Sequence, residues 1–248
     1  MRPLLRWLAL LGFATLALQL FFVLRIGAMT VFNPQSTAFE RSEAWRLANE
    51  KGNLRWRQQW RAYPDMSDNL KRAVIASEDD GFVGHEGIDW NALEKAWKKN
   101  ARVEAQMSRK ASSDSAKGKP ATTRAPKVVG GSTITQQLAK NLFLSGERTL
   151  LRKGQEMLLT LALEALLSKQ RILEIYLNSV EWGEGVFGAE AAAQHYFRKP
   201  ASELAPLEAA RLAAMLPRPK YFEKLPQSAY LSERANTLVA RMPSAELP

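Results

Sequence analysis

The sequence predicts an all-α protein that begins with a single transmembrane helix. Three observations support this fold class: a long apolar run near the amino terminus, helix-period spacing of apolar residues through most of the remainder, and no alternating strand pattern of any length after the apolar run. With 248 residues, the chain has room for one good-sized domain and an appendage.

The chain is strongly basic and contains no cysteine. Its formal net charge of +10 and its isoelectric point near 9.9 indicate anionic partners, such as nucleic acid, phospholipid head groups or a phosphorylated substrate. No zinc-finger or RNP-type signature accompanies the charge, so we expect no nucleic-acid partner. The lack of cysteine excludes disulfides and thiolate metal sites.

Residues 1–25 are predicted to form a membrane anchor. From Trp7 to Leu24 there are 18 residues without a charge, which as a helix span roughly 27 Å, close to the ~30 Å hydrocarbon core of a bilayer. Arg2 and Arg6 precede this run, so the positive-inside rule places the start in the cytoplasm and the rest outside. A cleaved signal peptide is the alternative, disfavoured because its apolar region would be shorter and no clean small-x-small cleavage site is present.

After the anchor, residues 26–59 are interpreted as a stalk or linker and residues 60–248 as one domain. A helix is predicted to begin near Ser67 and to end in the carboxylate run Glu78-Asp79-Asp80. Mutual repulsion and burial at the end of an apolar helix would favour protonation of at least one of these carboxyl groups, which suits a catalytic base or acid. A charged helix end that runs into a glycine turn is the plain alternative.

A metal site at this helix end is also conceivable but disfavoured. Its ligands would be Asp79, Asp80, His85 and Glu86, and their spacing matches no standard set.

The next segment is predicted to be a helix followed by a flexible insert. The helix runs from Asp89 to Asn100, with Leu93 and Trp97 facing inward. Residues 102–127 are rich in Ser, Ala and Lys, and are predicted to form a basic loop. Ten lysines and arginines but only two acids fall between residues 95 and 127, so the loop either lies against anionic lipid or is a solvated tether.

The most informative stretch begins at Gly130-Gly131. Thr133 to Gln136 fits the capping box that opens a helix. On this helix, apolar residues fall on one face, and Thr133, Gln137, Lys140 and Asn141 fall on the other. Such a polar stripe is often a solvated face. Thr, Gln and Asn, however, are better suited to hydrogen-bonding a neutral polyol than to making a surface soluble.

Cations surround this polar stripe. Arg148, Arg152 and Glu156 are spaced four apart, so a helix that starts near Arg148 would point all three the same way. Arg148 and Arg152, together with Lys140, Lys153 and the free N–H groups of the Gly-Gly helix start, favour an anion. The residues therefore predict a ligand that carries both hydroxyl groups and phosphate.

Four further helices are predicted. Residues 155–167 are apolar nearly all round, so we expect this helix in the centre of the domain. Residues 169–178, 189–197 and 206–216 form the others. Residues 183–188 match G-x-G-x-x-G, but the dinucleotide fingerprint requires a preceding strand, and the segment before it is predicted to be helical. We therefore predict a tight turn there and no organic cofactor.

Five blocks of this sequence, in order, resemble the peptidoglycan glycosyltransferases (glycosyltransferase family 51), and most closely their monofunctional, membrane-anchored biosynthetic members. The resemblance covers roughly residues 60–225, but the segment between the first and second blocks is longer and more basic than the family pattern. The blocks are Glu78-Asp79-x-x-Phe82-x-x-His85-x-Gly87, Gly130 to Asn141, Arg152-Lys153-x-x-Glu156, Lys169 through Tyr176-Leu177-Asn178 to Phe197, and Glu208-Ala209-Ala210 to Pro217-x-Pro219.

The resemblance implies a lysozyme-like helical fold and an inverting transferase at the outer face of the bacterial inner membrane. Lipid II units would be joined through β-1,4 bonds, and undecaprenyl diphosphate would leave. Glu78 is implied to be the base, and Glu156 to stabilise the donor side or to help hold a divalent ion (Mg²⁺ or Mn²⁺). Lys140, Arg148 and Arg152 would neutralise the diphosphate.

The implied partners are lipid II, the growing glycan strand, the inner membrane and possible other cell-wall synthesis proteins. The remaining residues implied to bind substrate or shape the cleft are Asp79, Phe82, His85, Ser132, Thr133, Gln136, Gln137, Asn141, Lys153 and Asn178.

Two other functions are consistent with parts of the sequence. A lytic transglycosylase or muramidase would use Glu78 as an acid, but glycan cleavage expels no diphosphate for the cations to meet. A non-catalytic membrane scaffold would bind acidic polymer through the basic insert at 102–127.

Overall fold

The computed structural model describes residues 2–52, 55–116, 131–147 and 149–248. Helices dominate these ranges, as predicted, and one small sheet joins them. In chain order the elements are α1 (Arg2–Ala28), α2 (Ala38–Lys51), β1 (Arg57–Gln58), α3 (Asp68–Glu78), α4 (Trp90–Ala116), α5 (Ile134–Phe143), α6 (Leu150–Leu166), α7 (Lys169–Ser179), β2 (Glu181–Gly183), β3 (Val186–Phe187), α8 (Ala189–Phe197), α9 (Pro206–Met215), α10 (Pro219–Phe222) and α11 (Ala229–Arg241).

The core lies where two groups of helices meet. In one group α3, α9 and α11 pack against one another, and in the other α5 packs against α6 and α7. Helix α7 contributes much of the core, since Ile172, Leu173, Ile175 and Leu177 are all fully buried. The end of α3 meets the start of α5 in the interior, where the buried Ile134 N donates to the buried Asp79 Oδ2.

Helix α1 carries the predicted membrane span. Within the described ranges, Pro3–Ala28 is the one helix long and apolar enough to cross a bilayer. Its base is fixed to the domain, because Ile26 and Met29 belong to the buried core. In addition, Gln19 and Gln155 of α6 exchange two hydrogen bonds, of 3.0 and 3.2 Å.

The chain directly after α1 is part of the domain, and its interpretation as a stalk over 26–59 was wrong. Helix α2 opens with a capping box between Thr37 and Glu40 and packs along α5, and Leu47 is buried. Strand β1 then pairs in parallel with β3. The contact of α2 with α5 joins residues more than eighty positions apart, and the pairing of β1 with β3 joins residues more than a hundred apart, so no local pattern in the sequence reveals them.

The glycine-rich stretch at 183–188 forms a hairpin. Strands β2 and β3 pair antiparallel across it, and β1 joins the other edge of β3. The predicted turn into a helix is present, since α8 follows directly after Gly188. The short strand before the glycines was not predicted, yet the dinucleotide motif stays excluded because a second strand rather than a helix follows the turn.

Helix α4 differs from its prediction in length and in orientation. It continues to Ala116, so residues 102–116 are helical rather than a loop, whereas residues 117–127 of the predicted loop lie outside the described residues. Leu93 and Trp97, expected to face inward, are 42% and 76% exposed. The apolar spacing therefore marks a surface stripe on this helix.

Helix α6 was expected in the centre of the domain but lies at its surface. Glu156, Leu159, Thr160 and Leu163 are buried, while the opposite face is exposed to the surroundings. The exposed apolar residues of this face are Leu150, Leu151, Met157, Leu158, Leu161 and Leu166. A helix that is apolar all round suits either a core or a lipid environment, and α6 has only one side in the core.

Candidate active site

Glu78, the last residue of α3, is held between two uncharged donors. Ser77 Oγ donates to Glu78 Oε1 at 3.0 Å, and Gln137 Nε2 donates to Glu78 Oε2 at 3.1 Å. The buried Tyr176 hydroxyl donates in turn to Gln137 Oε1 at 3.0 Å, which fixes the amide orientation. Two hydrogen bonds thus orient the carboxylate, and it makes no ion pair with any of the described residues.

The three adjacent carboxylates do not act as one cluster. Asp79 is buried and accepts hydrogen bonds from Ile134 N (2.9 Å) and His85 Nε2 (2.8 Å). Asp80 is exposed and pairs with Arg241 of α11 at 3.2 Å. Each carboxylate therefore has its own partners, in place of the mutual repulsion expected from the sequence.

Asp79, His85 and Thr133 form a buried junction between the end of α3 and the start of α5. His85 Nδ1 accepts from Gly87 N at 3.1 Å, and Thr133 Oγ1 donates to Gly87 O at 2.6 Å. The predicted capping box of Thr133 and Gln136 is present. These side chains position Glu78 against Gln137 rather than presenting themselves to a ligand.

A cleft of about 810 Å³ opens beside Gln137. Helix α2 supplies one part of the wall, which includes Phe39 and Ser42, and α5 and α6 together supply eight lining residues. Eight of the residues predicted to be catalytic or substrate-binding line it: Ser132, Gln136, Gln137, Lys140, Asn141, Arg152, Lys153 and Glu156. The cleft therefore joins the polar stripe of α5 to the cationic start of α6, as the sequence indicated.

The cationic wall is organised around Glu156, which is buried. Arg152 Nη1 lies 2.9 Å from Glu156 Oε2, and Lys153 Nζ pairs with the other carboxylate oxygen. Arg152 Nε is buried without a hydrogen-bond partner among the described residues. Desolvation lowers the pKa of Lys140 on the facing helix, while Glu156 acts in the opposite direction. Arg152 and Lys153 thus pair with one carboxylate, and Lys140 adds a third cation to this wall.

Glu156 does not fit the role of a metal ligand in this structure. Both of its oxygens are engaged by Arg152 and Lys153. The part of the chain that the structure describes contains no group of three His, Cys, Asp or Glu residues able to hold a metal ion. Its geometry suits a residue that holds the two cations in place, and a role in stabilising the donor side stays a prediction.

The other described residues that were predicted to be catalytic or substrate-binding do not line the cleft: Glu78, Asp79, Phe82, His85, Thr133 and Asn178. Asn178 is fully buried, and its side chain hydrogen-bonds to the backbone of Arg61 and Glu174, so it does not reach the cleft surface itself. Phe82 is also fully buried, with Lys169 Nζ 4.6 Å from its ring centroid. Arg148 and Gly130 lie outside the described residues.

Sequence reasoning missed a group at the other wall of the cleft. Glu43 of α2 and Glu181 of β2 both line it and share Lys220, whose Nζ lies 3.3 Å from Glu181 Oε1. Burial raises the pKa of Glu181 to about 7, an effect that Lys220 opposes. The three residues come from separate segments, and only the fold brings them together.

A second missed contact supports Glu78 from behind. Arg234 Nη2 of α11 donates to Ser77 Oγ at 3.3 Å, and Ser77 donates to Glu78. Helix α11 was not predicted and lies beyond the five sequence blocks. No local signal links Arg234 to the end of α3, so the relay becomes visible only in three dimensions.

With this geometry established, comparison with known proteins identifies the class. A family model described as transglycosylase matches residues 46–114 and 115–243, and the chain belongs to this family. The match begins inside the segment first interpreted as a linker, in agreement with the packing of α2.

The relatives make the identification more specific. A protein named biosynthetic peptidoglycan transglycosylase from Burkholderia thailandensis is 51% identical over 247 residues, which cover 98% of this chain and 88% of the relative. A protein of the same name from Herminiimonas arsenicoxydans is 50% identical over 249 residues, which cover 100% of this chain and 99% of the relative. The resemblance stated from the sequence blocks is thereby confirmed.

Proposed function

We propose that this chain, a peptidoglycan glycosyltransferase, polymerises lipid II into β-1,4-linked glycan strands and releases undecaprenyl diphosphate. The observation that carries the proposal is that a carboxylate without an ion pair adjoins a cationic cleft. Glu78 is held by neutral donors, one of which, Gln137, lines the cleft together with Lys140, Arg152 and Lys153. A base next to preorganised cations matches the demands of a transfer that expels a diphosphate.

The proposed step begins at Glu78, which takes the proton from the 4-hydroxyl of the acceptor sugar. The acceptor oxygen attacks the donor anomeric carbon, the bond from that carbon to the diphosphate oxygen breaks, and configuration inverts. Lys140, Arg152 and Lys153 neutralise the negative charge that develops on the departing diphosphate. Glu156 keeps Arg152 and Lys153 in place between turnovers.

No step of this proposal passes through a metal ion. Both carboxylate oxygens of Glu156 already face cations, so the donor set does not fit a divalent ion. Turnover assays with and without added Mg²⁺ or Mn²⁺ test this point directly: a requirement for the ion would contradict a metal-free step.

The proposed location is the outer face of the inner membrane, with α1 as a single-pass anchor. Arg2 and Arg6 precede the span, which by the positive-inside rule leaves the domain on the periplasmic side. The exposed apolar face of α6 supports this placement, because a patch of this kind on a membrane-anchored protein suits contact with lipid. A cleft bordered by such a helix is well placed for a substrate that stays in the bilayer.

The decisive experiment is lipid II turnover by the purified full-length protein in detergent or liposomes. We expect lipid II to be consumed and undecaprenyl diphosphate to appear, while purified glycan strands remain intact. Cleavage of strands without use of lipid II would support a lytic enzyme instead. A scaffold would consume neither, and would lose its polymer binding when residues 104–125 are deleted.

A further inference from the structure

A second cavity, of about 680 Å³, lies beyond the missed wall of the cleft. The two cavities are neighbours along α2. Glu43 lines the cleft, while Leu47 and Lys51, one and two turns further on, line the second cavity. From Glu43 to Lys51 the helix advances about 12 Å. Arg46 spans the boundary, with Nη2 2.8 Å from Glu43 Oε2 and 3.3 Å from Glu184 Oε1 of the second cavity.

The glycine-rich hairpin forms part of this second cavity, which we call the distal groove. The groove is lined chiefly by Lys51, Arg55, Trp56, Arg57, Gly185 and His195. Arg57 N donates to Gly185 O at 2.8 Å. Gly185 has a φ of +71°, and a Cβ there would lie 2.0 Å from Arg55 O. Only glycine permits this approach. The G-x-G-x-x-G stretch therefore brings the two arginines and Trp56 against β3.

The groove presents an aromatic ring beside cations. Trp56 stacks on Phe187, with centroids 4.4 Å apart and planes at 20°, so one ring face is packed while the residue stays partly exposed. Arg57 Nη1 lies 3.2 Å from His195 Nδ1. Arg55 is exposed and has no ion-pair partner within the described ranges. Lys51 pairs with Glu184, so the two arginines are the lining Lys and Arg residues without an ion-pair partner among the described residues.

We propose that the distal groove binds the glycan strand already made, through its sugar rings and the carboxylates of its peptide substituents. This inference rests on the proposed function, since only a polymerase produces a strand longer than the cleft. Aromatic and guanidinium groups side by side suit a polyol that bears carboxylates. Binding of the product beyond the cleft keeps the strand attached between successive additions.

The test uses lipid-free, uncrosslinked glycan strand fragments of increasing length and the full-length protein in detergent. For the wild type, affinity should rise once fragments are long enough to span both the cleft and the groove. In the Arg55→Gln/Arg57→Gln double variant, the long-to-short affinity ratio should fall about tenfold, as expected for losing one charge-assisted hydrogen bond. The glycan products made from lipid II should also become shorter.

Arg55→Gln alone serves as the second variant, because its side chain makes no described ion pair and its loss should not disturb β1. Lys98→Gln is the matched control, since it removes one exposed cation on α4, outside both cavities. Thermal unfolding must match the wild type for each variant that is compared. An unchanged long-to-short ratio and unchanged product length in the arginine variants would overturn the inference. A wild type that leaves lipid II intact would instead refute the proposed function.

Discussion

Two carboxylates of this molecule, Glu78 and Glu156, both line or adjoin one cleft but have opposite surroundings. Glu78 receives hydrogen bonds from a serine and a glutamine, whereas Glu156 is engaged by an arginine and a lysine. A hydrogen bond from a neutral donor orients a carboxylate without cancelling its charge, while a double ion pair does cancel it. The first arrangement suits a base and the second suits a holder of cations.

The largest effect is expected for Glu78→Gln, which keeps the size of the side chain and removes its basicity. Lipid II turnover should fall by about 10²–10⁴-fold, the usual contribution of a general base. Steady-state assays measure the effect, and circular dichroism checks the fold. Asp80→Asn is the matched control, because this neighbouring carboxylate is exposed and should retain most of the turnover. If Glu78→Gln is as active as the wild type, the assignment of the base is wrong.

Glu156→Gln should come next, with both turnover and stability reduced. The substitution leaves Arg152 and Lys153 facing each other without a counter-charge, and we expect a free energy of unfolding lower by about 1–3 kcal/mol. Turnover should decline about tenfold or more, because the cations no longer hold their positions. Chemical denaturation and kinetics measure the two quantities. A variant with normal stability and normal rate would show that the ion pairs do not organise the wall.

Gln137→Leu tests the neutral side of the comparison. It removes the donor to Glu78 Oε2 and leaves the buried Tyr176 hydroxyl without its acceptor. A drop of about tenfold in kcat/KM is expected, since an unfixed base loses orientation. Tyr176→Phe separates the two contacts, because it keeps the donor to Glu78 and should cost less activity. Equal losses in both variants would indicate a general packing defect.

A smaller effect is expected behind Glu78, at the relay from Arg234 through Ser77. Arg234→Ala should lower kcat by a few-fold with little change in KM, as expected for the loss of about one net hydrogen bond. Arg234→Lys should restore part of the loss, because a lysine keeps a donor on the same side. A variant in which KM changes and kcat does not would place Arg234 in substrate binding instead.

The smallest effect concerns Glu181, a third carboxylate of the cleft. It faces one cation, Lys220, whereas Glu78 has no ion pair among the described residues and Glu156 has two. The pKa of Glu181 is raised to about 7 by burial, from an ordinary value of 4.5. Between these values the folded protein keeps a proton that the unfolded chain has released, so this group makes stability decline as pH rises through the window. Glu181→Gln should flatten that decline between about pH 5 and pH 8, measured by urea denaturation. Identical pH profiles in both proteins would contradict the shift.

Features with local signals were predictable from the sequence. Ser67 begins α3, Thr133 and Gln136 cap α5, and the polar stripe of α5 lines the cleft together with Lys153 and Glu156. In each case residues within one or two turns determine the outcome, so spacing is informative. The chemical roles predicted for these residues came from the resemblance to the family, because spacing alone does not assign a role.

Features that depend on distant contacts were not predictable. Helix α2 packs on α5, and β1 pairs with β3 across more than a hundred residues. Asn178 lies in a conspicuous block, yet its amide is used within the fold. Helix α6 was expected in the core because composition alone does not distinguish a buried helix from a helix with an exposed apolar face.

The position of α6 has a consequence for substrate delivery. Its first turns carry Arg152 and Lys153, its outer face carries the exposed leucines, and Gln155 ties it to the span through Gln19. With α1 placed in the bilayer as proposed, this one helix would set both the depth of the domain at the membrane and the height of the cations that would meet the diphosphate. Bilayers of different thickness should then shift these two levels together, which assays in vesicles of different acyl-chain length can measure.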